Sequence, residues 1–282
     1  MMPNVFSQPE IAFNKKWLRR SRQNTSPTVI QLRIKKMVLN FCVLLVSVNA
    51  FSQVHKDSSR SMFQFSGTIS LTNNGISPIP AFSLEKPAIL GFLSLRKNRF
   101  SYDPEMAFSL KGIPWFINNS FRYRLIEKKR FQFRTGLIWG LGFSYPKVME
   151  NGVSRTNARA ERFFWLELVP RFEISEKVAI SSTTYLGYNF EQGSVKNINF
   201  ISLVGNITNI KLHKYIYSSF YPQVFYLNFD NITDGLFLSV LWGLGHSKLP
   251  LFLSMQINQT LSTTISPDPG FKWNVSASYT FK

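Results

Sequence analysis

Eight charged residues interrupt otherwise apolar, alternating stretches of this 282-residue chain: Asp103, Glu105, Arg122, Arg124, Arg134, Glu167, Arg171 and Glu173. Each falls on the polar side of a period-two pattern, so in an extended chain all eight share one face of a sheet. Taken stretch by stretch their signs run acidic, basic, basic, then mixed. Neighbouring strands with that order can pair carboxylate with guanidinium across the sheet. Such a belt either braces a wall or forms a charged constriction that selects solutes.

Other candidates for chemistry carry less. His55 precedes the first alternating stretch, His213 falls in a short turn, and His246 is followed directly by Ser247. Adjacent residues on an extended chain point to opposite sides, so His246 and Ser247 are badly placed to share a proton. No Gly-rich phosphate loop and no two-His metal spacing occurs in the chain. Cys42 is the single cysteine, inside a segment expected to be removed, which leaves no thiol for a disulfide, a metal or a nucleophile. No catalytic residue, cofactor or metal ligand is assigned, and an enzyme is not expected.

The elements that carry the eight charges are strands. Alternation is read over 62–71, 86–95, 100–110, 115–125, 131–145, 163–174, 178–190, 198–207, 215–227, 236–245, 251–260 and 271–282. The last stretch is unbroken: Phe271, Trp273, Val275, Ala277, Tyr279 and Phe281 oppose Lys272, Asn274, Ser276, Ser278 and Thr280. A strand of about 9 to 11 residues crosses a bilayer at a tilt. Elsewhere Trp115, Ile117, Phe121, Tyr123 and Leu125 are expected on the apolar face, against Asn118, Ser120, Arg122 and Arg124. Gly136, Gly140 and Gly142 stand on the polar face of the fifth stretch, where they leave room inside a curving wall.

Connections alternate in length. Those at 96–99, 126–130, 175–177, 208–214 and 246–250 are short and polar; those at 72–85, 146–162, 191–197, 228–235 and 261–270 are longer, with 111–114 the exception. Short turns at one end and long loops at the other is the asymmetry of an outer-membrane barrel, the short turns facing the periplasm. The apolar face must then meet lipid and the polar face the lumen, since one charge on the lipid side at the midplane costs about 2 to 4 kcal/mol. The expected fold is all-β: a transmembrane antiparallel β-barrel of about twelve strands over 53–282.

Residues 1–52 read as a basic extension and a cleaved signal peptide. An apolar run at 38–50 follows Arg33, Lys35 and Lys36 and is too short to span a membrane as a helix. This leader carries eight bases and one acid, or +7 of the formal +18. The rest, +11, shows no nucleic-acid motif, so nucleic-acid binding is excluded.

The leader's Ala50-Phe51-Ser52-Gln53 ending is similar to exported proteins of Bacteroidota. The closing strand resembles the last strand of bacterial outer-membrane barrels, which ends in an aromatic residue read by the barrel-assembly machinery; here Lys282 follows Phe281. The resemblance implies the outer membrane as location, with its lipid, its lipopolysaccharide and that machinery as partners. The net basic loop at 147–159 is a candidate contact for lipopolysaccharide phosphates. The expected function is a porin-like passive channel or small-solute transporter. A non-conducting structural or adhesion barrel acting through its outer loops is the alternative, and an outer-membrane enzyme the third.

Overall fold

A computed structural model describes residues 63–76, 79–150 and 153–282. The expected signal peptide, Cys42 and His55 lie outside the described residues. The described residues form fourteen strands: β1 (Gln64–Thr72), β2 (Ala88–Lys97), β3 (Phe100–Ser109), β4 (Pro114–Glu127), β5 (Phe131–Ser144), β6 (Lys147–Glu150), β7 (Val153–Thr156), β8 (Arg159–Glu173), β9 (Val178–Asn189), β10 (Asn197–Lys211), β11 (Ile216–Phe229), β12 (Thr233–His246), β13 (Leu251–Thr263) and β14 (Lys272–Phe281). No described residue is helical. Twelve of the strands form one closed barrel, each antiparallel to its neighbours. β1 meets β14 from Gly67 opposite Phe281 to Thr72 opposite Ser276, so the sheet has no free edge. β6 and β7 form a separate hairpin within the connection from β5 to β8.

The outer surface is apolar. Leu71, Leu137, Leu186, Leu203, Leu238 and Leu253, one from each of six strands, are all exposed. Phe100, Tyr123, Phe172 and Tyr279 ring the short-turn end and Trp139, Tyr188, Tyr226 and Trp273 the other. A soluble monomer rarely exposes more than a few hundred Å² of contiguous apolar surface, whereas a lipid-facing band between aromatic girdles is what a transmembrane barrel requires. β14 alternates as its sequence dictates, with Asn274 buried while Trp273 and Val275 are exposed.

Three expectations are corrected. The inward face is polar on β1, β13 and β14 but carries large apolar rings over the long-loop half of β8 to β12, where Trp165, Tyr185, Phe200, Phe225 and Phe237 are buried. Trp115 is buried too, against Phe116, because the register between β3 and β4 shifts at Ala107 and Phe108 and takes Trp115 off the outward alternation. The turn expected at 208–214 and the loop expected at 228–235 are mostly strand. β10 continues to Lys211 through a register shift at Ile207 to Ile210, where Asn209 adopts a positive φ of 56°. β11 and β12 leave only residues 230–232 between them, with Asp230 and Asn231 left-handed.

Pro104, Pro170 and Pro222 lie within β3, β8 and β11. Proline has no N–H to donate. Each accordingly sits beside an interruption of one ladder: between the Phe92–Glu105 and Leu95–Tyr102 pairs, between Leu168–Thr184 and Arg171–Ser181, and between Val204–Gln223 and Ile207–Phe220.

Leu238 lies on the outer face of β12 and Ser239 next to it is buried. In urea unfolding from lipid vesicles, Leu238→Arg is expected to cost about 2 to 4 kcal/mol. Leu238→Phe is expected to leave stability within about 1.5 kcal/mol.

Candidate functional site

Arg122 on β4 organises the lumen. Its Nε donates to Glu167 Oε2 at 2.8 Å, its Nη1 to Asp103 Oδ2 at 3.1 Å and its Nη2 to Glu105 Oε1 at 3.3 Å. The fork of the guanidinium thereby bridges β3, β4 and β8. Between β4 and β8 runs β5, whose Gly136 stands opposite both Arg122 and Glu167. A Cβ at Gly136 would lie 3.0 Å from Arg122 Cγ and 3.0 Å from Glu167 Oε2. The bare backbone there lets side chains two strands apart meet.

The acids are held from their other sides as well. Ser94 and Ser101 hydroxyls donate to Asp103 at 2.5 and 2.7 Å. Tyr185 Oη lies 3.4 Å from Glu167 Oε1, and Arg134 Nε lies 3.5 Å from Glu167 Oε2. Glu167 is 1% exposed, so it is a buried charge that needs these partners.

Of the eight charges singled out in the sequence, five, Asp103, Glu105, Arg122, Arg134 and Glu167, form this one cluster. Arg171 and Glu173 pair with each other at 3.5 Å, and Gln132 donates to Glu173 at 3.4 Å. Arg124 pairs with Glu127, a residue assigned from the sequence to a turn. Arg96, expected in the turn at 96–99, belongs to β2, where inward Ala88, Leu90, Phe92 and Ser94 continue in register to it. That continued alternation was the signal.

Toward the short-turn end the lumen opens into a cavity of about 480 Å³. Arg96, Arg99, Arg122, Arg124, Arg134 and Arg171 line it, with Glu127 the one carboxylate among its lining residues. The facing wall is neutral: Ser181, Thr183, Val204 and Asn206. Asn206 is held there by Ser181 at 2.9 Å. Among the described residues neither Arg96 nor Arg99 has an ion-pair partner.

Toward the long-loop end the lumen is filled. Trp165, Tyr185, Phe200, Phe225 and Phe237 stand on five successive strands with ring centroids 5.4, 5.5, 5.5 and 5.0 Å apart. Trp165 lies against Gly187 and Phe163 against Gly140, so that a Cβ on either glycine would meet a ring at 2.4 or 2.2 Å. Large rings lying over glycines cover the exposed backbone of the inner wall. The connection between β1 and β2 dips into the same core with Ile79, Ala81 and Phe82.

Neither of the described histidines, His213 and His246, lines the cavity or joins the Arg122 cluster. His246 Nδ1 accepts the backbone N–H groups of Lys248 and Leu249 at 3.2 and 3.0 Å, which fixes the turn between β12 and β13.

No protein-family model and no curated protein matches the chain. Solved structures do. A KdgM porin in complex with disordered oligogalacturonate is similar with a TM-score of 0.51 at 8% identity, over 77% of this chain and 99% of that one. An outer-membrane channel from Pseudomonas putida F1 gives a TM-score of 0.47 at 11% identity, over 81% and 100%. The chain has the fold of an outer-membrane, porin-like barrel.

Removing Arg122 leaves three carboxylates facing one another around its place. Arg122→Met is expected to cost about 3 to 5 kcal/mol in urea unfolding from vesicles. Arg124→Ser, which loosens only the half-exposed pair with Glu127, is expected to cost about 1 kcal/mol or less in the same measurement.

Proposed function

We propose that this protein is a non-enzymatic, porin-like channel of the outer membrane that passes small anionic solutes, with its short turns in the periplasm. One observation carries the reading: six arginines and a single carboxylate line a 480 Å³ cavity in the barrel lumen. A low-dielectric wall focuses that charge and raises the local concentration of anions. The acids of the Arg122 cluster are already engaged, while Arg96 and Arg99 line the cavity with no carboxylate paired to them among the described residues. The opposite wall, Ser181, Thr183 and Asn206, offers hydroxyl and amide groups to the uncharged side of a solute. Oligogalacturonate, named with one of the similar porins, is an anion of this kind and a suitable probe. The resemblance to small barrels of Bacteroidota is compatible with this function and names no solute.

A second reading, a barrel that does not conduct and acts through its outer loops, is favoured by the packed half of the lumen. Bilayer recordings separate the two. Under a tenfold KCl gradient, openings of the wild type are expected to give an anion-selective reversal potential. Arg96→Glu with Arg99→Glu is expected to move it toward cation selectivity, and an unmoved potential would remove the arginine cavity from the path.

A further inference from the structure

The described residues of the connection between β1 and β2 turn into the barrel, where their core is joined by Ile265 of the β13–β14 connection. Ile79 is 1% and Ala81 4% exposed, and the Phe82 ring stacks on Phe229 at 6.1 Å between centroids. Asn258, inward on β13, donates from Nδ2 to the Pro80 carbonyl at 2.9 Å. Glu85 pairs with Lys272 on β14. The arm is closed on itself by a bridge between Ile76 and Ser83 and by the Leu84 N–H bonded to the Gly75 carbonyl at 2.8 Å. At its two ends Gly75 and Glu85 both have positive φ, 56° and 55°. For a residue with a side chain, as Glu85, that conformation is unusual and marks the point where the arm re-enters the wall.

What the arm covers matters as much. The ladder from Trp165 to Phe237 belongs to the same core as Ile79, Ala81 and Phe82. Below it, the Tyr185 hydroxyl touches Glu167, which ties directly to the arginines of the cavity. The aromatic tract and the basic cavity are therefore consecutive parts of one lumen. Apolar contacts and the Asn258 hydrogen bond to the Pro80 carbonyl hold the arm against the barrel wall, and the Glu85–Lys272 ion pair ties its base to β14.

We infer that this arm is a tethered stopper: it occupies an aromatic tract in the outer half of the lumen and leaves it, about Gly75 and Glu85, to open the channel. The inference rests on the channel reading given under Proposed function and adds its closure. An aromatic tract followed by arginines would receive a solute with an apolar or ring face and an acidic group. The stopper keeps the tract shut in the resting barrel.

Two sets of variants test it. Ile79→Ser with Phe82→Ser weakens the arm's apolar seat. Asn258→Ala with Lys272→Glu breaks its polar ties, and adding Glu85→Lys restores an ion pair of reversed sign. Open probability in planar bilayers is one readout. The other is the rate at which a bulky maleimide labels Leu227→Cys, a lumenal position in the same core that is 0% exposed, with the parent protein as background. Both weakened variants are expected to raise both quantities at least tenfold, and Glu85→Lys to return them toward wild type. Labelling and open probability unchanged in folded variants would overturn the stopper. So would a wild type that is already fully open, although the channel itself would stand. Labelling that rises tenfold while the bilayers stay silent supports the movable arm and overturns the channel reading instead.

Discussion

The hydrocarbon core of a bilayer offers no partner for a backbone N–H or C=O, so a chain that crosses it in strands must satisfy every such group from its neighbours and leave no edge. Closure of β1 onto β14 follows from that constraint, as does the outward placement of leucine, valine and aromatic side chains around the barrel wall. Three prolines in the wall are tolerated because each costs one ladder locally while the ring around it stays closed. With the outside committed to lipid, every polar or charged side chain the sequence places mid-strand has the lumen as its outlet.

Inside, charge and volume divide the work. One guanidinium, Arg122, gathers three carboxylates from two other strands, and Gly136 makes the meeting possible by contributing no side chain. Because those carboxylates are engaged at mid-barrel, the cavity toward the short turns keeps a strong excess of arginine. On the far side of the cluster the wall changes character. Five rings in succession replace the polar residues, and the barrel's own first connection fills the space between them. A barrel of this size thus holds a basic chamber and an apolar one end to end.

The period-two alternation made the strands, their number and the outward face legible, because lipid imposes that pattern on the outside of every strand. It imposes nothing comparable on the inside. A lumenal face can be polar, as at Asn274 on β14, and is apolar where protein fills it, as at Phe200 and Phe225. The arm that does the filling is a loop, whose inward turn has no periodic signature. Pairings across two strands are equally hidden: Arg122 and Glu167 are 45 residues apart, and their contact depends on a glycine that reads only as room in the wall. Strand ends blurred for a local reason, since Asn209 carries β10 through a bulge that a simple count of alternation takes for a turn.

The division of the lumen into a basic chamber and a stoppered apolar one can be read directly by soaking crystals of the detergent-purified barrel in bromide and recording anomalous scattering. Bromide peaks beside Arg96, Arg99 and Arg134, with none among Phe200, Phe225 and Phe237, are the result this division requires. Bromide spread evenly through the barrel, or absent from the arginine cavity, would contradict it.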